Sequence, residues 1–131
     1  MDQSLFDSIR KIFARHAEIR LVMLFGSLAA GRARRDSDLD LAVATGRALT
    51  VVERASLIAE LAEATGRPVD LIDLHVVGEP LLGQILKHGR RILGSNGAYA
   101  ELIKRHVFEE ADFMPYRRRI LAERRRAWIG K

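Results

Sequence analysis

The sequence predicts an α+β domain, and three features carry that prediction. Apolar residues recur at helical spacing in several stretches, while other apolar runs are short enough and continuous enough for strands. Capping residues, glycines and prolines separate the two kinds. With 131 residues the chain is expected to form one domain that buries about two-thirds of its unfolded surface. No internal repeat is visible.

Leu5, Phe6, Ile9, Ile12 and Phe13 lie three or four residues apart, and Ser4 with Asp7 has the spacing of a cap and its reciprocal carboxylate. Residues 4–16 are therefore expected to form an amphipathic helix. Ile19 to Phe25 is apolar except for Arg20, the pattern of a central strand covered on both faces. Asp38 to Ala44 is a second strand, with Leu39, Leu41 and Val43 on one face and Asp38, Asp40, Ala42 and Ala44 on the other. Thr50 and Glu53 form a capping box, Leu57, Ile58 and Leu61 supply an apolar stripe, and Gly66 with Pro68 ends that helix. Val69 to Leu74 is a third strand. A helix opening near Pro80 carries Leu81, Leu82, Ile85 and Leu86 as far as Gly89, and residues 89–93 suit a short edge strand. Ser95-Asn96-Gly97 has turn composition. Beyond it Tyr99, Leu102, Ile103, Phe108, Ala111 and Met114 mark a long C-terminal helix, which Pro115 is expected to break or kink.

Between the first two strands lies F-G-S-L-A-A-G-R-A-R-R-D-S-D-L-D, from Phe25 to Asp40. Strand side chains alternate, so Asp38 and Asp40 point the same way and form a two-carboxylate clamp. Such like charges repel unless a cation sits between them, and oxygen-only ligation favours Mg²⁺. The Gly26-Ser27 turn offers backbone N–H groups to phosphate oxygens. Ser27 to Gly31 is expected to wind into a helical turn aimed at those phosphates. Carboxylates, metal and phosphate together point to nucleotidyl transfer. Arg32, Arg34 and Arg35 either contact the polyphosphate or form a solvated loop. The neighbourhood has no cysteine, no Ser/His pair and no lysine, so direct in-line attack by an external acceptor is expected in place of a covalent enzyme intermediate.

G-S, ten residues, then D-x-D resembles the signature of the DNA polymerase β-like nucleotidyltransferases, and the chain length is similar to their minimal (MNT) branch. The resemblance implies a small mixed β-sheet that carries the carboxylates, packed by helices and followed by a long C-terminal helix. Residues 1–114 would be the minimal nucleotidyltransferase domain and 115–131 its arginine-rich helical extension. The family's third carboxylate falls on the first aspartate of V-D-L-I-D-L, which is Asp70. Asp73 is the alternative, and three residues of separation put the two on opposite faces of a strand. On this reading Asp38, Asp40 and Asp70 are catalytic and bind metal, with two Mg²⁺ ions during turnover, while Gly26 and Ser27 bind the nucleotide. Many MNT relatives carry an arginine where this chain has Leu28 or Ala30. Many are antitoxins paired with a HEPN-domain toxin, some of which they silence by moving AMP from ATP to a toxin tyrosine. The resemblance thus implies ATP as substrate, a HEPN toxin as partner in a hetero-oligomer, and a hydroxyl acceptor, with tyrosine expected. Neutralisation by binding alone is the alternative.

Composition limits the remaining possibilities. Without cysteine there is neither a disulfide framework nor a thiolate zinc site. His16, His75, His88 and His106 match no metal-ligand spacing and are expected to be surface or packing residues. No signal-like segment and no window of 18 apolar residues is present, so a soluble cytoplasmic protein without membrane contact is expected. The net charge of +5 is concentrated in the tail, since residues 1–116 hold 15 Lys+Arg against 16 Asp+Glu. Arg117, Arg118, Arg119, Arg124, Arg125 and Arg126 surround the thin apolar stripe of Tyr116, Ile120, Leu121 and Trp128. That segment is expected to pack on the body or bind a partner, and nucleic acid is the lesser alternative.

Overall fold

A four-stranded mixed sheet, with both faces covered, forms the centre of the protein. The computed structural model describes residues 3–32, 34 and 36–111. In chain order the elements are α1 (Gln3–Ala14), β1 (Leu21–Phe25), α2 (Gly26–Ala29), β2 (Leu39–Ala44), α3 (Val51–Thr65), β3 (Val69–Asp73), α4 (Leu81–His88) and β4 (Arg90–Gly94). A further helix, α5, follows over residues 96–111. The strand order is β3-β2-β1-β4. β1 pairs antiparallel with β2 and with β4, whereas β2 and β3 are parallel and joined by the crossover helix α3.

The near-continuous apolar run of β1 has its explanation in two cores. Val22 and Leu24 face one side, together with Leu39, Leu41, Val43 and Leu71, and pack against Ile9, Ile12 and Phe13 of α1 and Leu57 and Leu61 of α3. Leu21 and Met23 face the other side with Ala42, beneath Leu82 and Ile85 of α4 and Leu102 of α5. Each β1 residue from Leu21 to Leu24 is at most 1% exposed, as only an inner strand sandwiched between helix layers can be.

α3 has the ends its sequence called for. Thr50 accepts from Glu53 N at 3.1 Å while the Glu53 carboxylate accepts from Thr50 N at 2.9 Å, and Gly66 ends the helix in the left-handed region. Several other boundaries differ from expectation. α1 begins at Gln3 and ends at Ala14, two residues short of His16, which leaves the helix to meet Glu60 with its Nε2 at 3.0 Å. β2 begins at Leu39, so Asp38 precedes the ladder, and β3 ends at Asp73. Ser95-Asn96-Gly97 is the start of a helix and not a free turn, because Ser95 Oγ accepts from Ala98 N at 3.1 Å as an N-cap.

The apolar pattern of α5 is also only partly core. Leu102 is buried, but Ile103 and Phe108 are 39% and 60% exposed. Two of its residues tie α5 to the body: Arg105 donates to Leu74 O and Val77 O, and His106 Nδ1 lies 2.5 Å from the Glu79 carboxylate. The expected break at Pro115 and the arginine-rich extension 115–131 lie outside the described residues.

Candidate active site

The carboxylates collect where three strand termini meet. β1 ends at Phe25, while β2 begins at Leu39 and β3 at Val69; the antiparallel and parallel pairings bring these termini to the same end of the sheet. Phe25 is opposite Asp40, and Asp40 is opposite Asp70. Residues paired in this way share a face on strands about 4.8 Å apart. That face is the one on which Ala42 and Ala44 join the second core, so the alternation predicted for β2 is the one observed. Leu82 and Ile85 of α4 and Leu102 of α5 pack over Ala42 further along this face.

Asp40 is half-buried, and its carboxyl lies above the ordinary value of 3.8. Burial is the largest cause, followed by the negative charges of Asp70 and then Asp38. Asp38 and Asp70 are both exposed. The two strands thus bring Asp40 and Asp70 side by side, with Asp38 near enough for its charge to act on Asp40. Asp73 belongs to a different environment. It is 5% exposed and its carboxylate accepts from Leu49 N at 2.8 Å and His75 N at 2.9 Å, fastening the segment before α3 to the end of β3.

Gly26 closes β1 with φ +73°, and a Cβ there would lie 2.0 Å from Asp40 Oδ2. Backbone conformation and the carboxylate therefore both exclude a side chain at this position. The chain then winds into the single helical turn α2, with Ser27 half-buried and Ala30 N bonded to Gly26 O at 3.1 Å. Leu28 is 6% exposed and belongs to the first core. Arg32 and Arg34 are exposed, and Arg35 lies outside the described residues.

The donor set fits a hard cation, because it consists of mutually repelling oxygens whose charge already disfavours ionisation of Asp40. As the side chains stand, no group of three His, Cys, Asp or Glu among the described residues is placed to hold a metal ion, so the paired oxygens are those of Asp40 and Asp70. Sequence reasoning overlooked Arg67. Its Nη1 donates to Arg34 O and to Ser37 O, each at 2.9 Å, and so ties the end of α3 to the loop entering Asp38. Its position after the helix-ending glycine was visible, but no sequence pattern links it to a loop thirty residues earlier. A cavity of about 750 Å³ lies at the other end of the strands, between Leu21, Ala44 and Leu74 and the α5 residues Leu102 and Phe108. It takes in none of the carboxylates named above.

The chain matches the polymerase β nucleotidyltransferase family over residues 7–98. It is 35% identical over 78 residues to the protein adenylyltransferase MntA of Shewanella oneidensis, a match covering 60% of this chain. The matched stretch spans 56%, about half, of that relative's own length. In structure it is similar to a chain of a toxin-antitoxin complex with AMP-PNP, with a TM-score of 0.80 and 26% identity over 90% of this chain and 96% of the other. A chain of the tri-AMPylated Shewanella oneidensis HEPN toxin in complex with MNT antitoxin shares the fold, with a TM-score of 0.77 and 24% identity over 94% and 98% of the two chains. The family match takes in α2, β2, α3 and β3, and hence both the G-S turn and every aspartate discussed above, so the chain belongs to the polymerase β nucleotidyltransferase family.

Proposed function

We propose that this protein is a Mg²⁺-dependent protein adenylyltransferase, which acts as antitoxin by transferring AMP from ATP to a hydroxyl of a partner HEPN-domain toxin. One observation carries the reading: Asp40 and Asp70 are paired across adjacent strands, with Asp38 two residues ahead and the Gly26-Ser27 turn in contact with Asp40. The similarity to MntA and to a toxin-antitoxin chain seen with AMP-PNP supports the substrate and the partner.

In this reading Asp38, Asp40 and Asp70 would hold Mg²⁺, which when bound offsets charge on the phosphates and acidifies the attacking hydroxyl. Gly26 and Ser27 would hold the polyphosphate with backbone N–H groups, because position 26 brings no side chain between the chain and its ligand. Asp70, exposed at the rim, is the carboxylate best placed to take the acceptor's proton. Tyrosine suits the acceptor role, since its pKa of about 10 lies well below that of an aliphatic hydroxyl. Added AMP would bring negative charge to the toxin and oppose RNA binding there.

Incubation of both proteins with ATP and Mg²⁺, followed by intact mass spectrometry of the toxin, tests the proposal. A gain of one or more AMP units, lost with Asp40→Asn, is the expected result. No mass gain with toxin activity still suppressed would replace transfer with neutralisation by binding alone.

A further inference from the structure

Asp38 occupies an exposed position just ahead of the β2 ladder, close enough to Asp40 for its charge to act on that carboxylate. On the metal reading, the chain must be held where Asp38 can join Asp40 and Asp70. The peptide that leads into Asp38 is the one whose carbonyl belongs to Ser37. That carbonyl accepts from Arg67 Nη1 at 2.9 Å. The second hydrogen of the same nitrogen reaches Arg34 O, also at 2.9 Å. Ser37 closes the turn from within, because its Oγ accepts from Arg34 N at 2.6 Å and its N–H donates to Arg34 O at 3.1 Å. The neighbouring Pro68 O accepts from Leu39 N at 2.8 Å, one residue beyond Asp38 and at the start of the ladder that pairs Asp40 with Asp70.

We infer that Arg67 is a positioning residue, which fixes the Ser37–Asp38 peptide so that the Asp38 carboxylate shares a cation with Asp40 and Asp70. The inference rests on the metal reading given under Proposed function. Gly66 makes the placement possible: its left-handed conformation ends α3 and turns the chain, so that Arg67 extends toward the loop while Pro68 and Val69 enter β3. One arginine thus stands at the junction between the strand bearing Asp70 and the loop bearing Asp38. Its planar group presents two hydrogens from one nitrogen in a fixed geometry, which the rotating ammonium of a lysine does not reproduce. The guanidinium also brings positive charge next to the peptide of an aspartate that sits among like charges.

Residues that orient metal ligands without touching the metal typically contribute about 10- to 100-fold to metal affinity. Mn²⁺ binding to the 131-residue chain, followed by the electron paramagnetic resonance signal of the free ion, reads this effect without reference to turnover. Arg67→Ala is expected to weaken Mn²⁺ binding at least about 10-fold. In an Asp38→Asn background the same change should cost nothing further, because the carboxylate it positions is gone. Arg67→Lys, which keeps the charge and most of the stem, should weaken binding in the same direction, and it carries the test if the alanine variant fails to fold by circular dichroism. Unchanged Mn²⁺ affinity in a folded Arg67 variant, or an equal loss with and without Asp38, would overturn the inference and leave the metal reading standing. Failure of Asp38→Asn and Asp40→Asn to affect Mn²⁺ binding would overturn the metal reading itself, and the role of Arg67 with it.

Discussion

Asp40 meets opposite demands: it is partly buried, it lies against the backbone of Gly26, and it faces Asp70 across the ladder. Its pKa is raised, so folding disfavours its ionised form. The sign of the consequence follows by linkage. Below the unfolded value of 3.8 the group is protonated in both states and costs nothing. As pH rises through the higher folded pKa the cost appears, and at neutral pH it is fully present. Asp40→Asn, which keeps the shape and removes the charge, is therefore expected to raise the melting temperature of the metal-free protein at pH 7. The gain should shrink as pH falls toward 3.8, and calorimetric scans across that range check it. An unchanged melting temperature at pH 7 would mean that solvent already screens the three carboxylates. On the proposed metal-binding role of Asp40, activity should be lost even as stability rises.

Among the elements, α3 carries the clearest local instructions, because it must connect two parallel strands and deliver Arg67 and Asp70 at its end. Its start is held by the capping box and by Arg47, whose Nη1 and Nη2 donate to Glu53 at 2.7 and 2.8 Å. The hydrogen bond from Arg47 is the main reason Glu53 titrates at about 2. A depressed carboxyl stabilises above its ordinary 4.5 and loses that contribution as pH falls through about 2, so the start of α3 is expected to hold well into the acid range. Thr50→Ala removes the acceptor for Glu53 N and should destabilise the protein by about 1 kcal/mol. Urea denaturation checks this, with a shift in midpoint at unchanged slope.

Among the described residues, burial thins toward the C-terminal end. The first core ends in sequence at Ile92, and the last fully buried apolar residue among those described is Leu102. The extension 115–131 is therefore expected to serve partner binding more than folding. Its deletion should leave the melting temperature nearly unchanged but weaken association with the proposed toxin partner, and the loss should be larger at low salt, where arginine charges act over longer distances. A marked drop in melting temperature would assign Ile120, Leu121 and Trp128 to the core instead. α5 marks the transition, since it covers the second core with Leu102 while Ile103, Val107 and Phe108 stay largely outside it.

Local chemistry is written in the sequence where a residue acts on its near neighbours. The Thr50 capping box, the glycine end of α3 and the alternation along β2 depend on spacings of two to four residues, which helix and strand geometry translate directly. The covered run of β1 and the separation of Asp70 from Asp73 by strand parity were legible for the same reason, whereas the G-S, ten residues, D-x-D spacing was legible as a family resemblance. Tertiary structure decided what depends on pairing distant segments. Only the parallel register of β2 with β3 put Asp70 beside Asp40, while Asp73 turned to bind Leu49 N and His75 N. The contact between Gly26 and the Asp40 carboxylate, and the reach of Arg67 to Ser37, likewise arise across loops. No sequence period encodes such contacts, because they form only when packing on both faces of the sheet fixes how its strands meet.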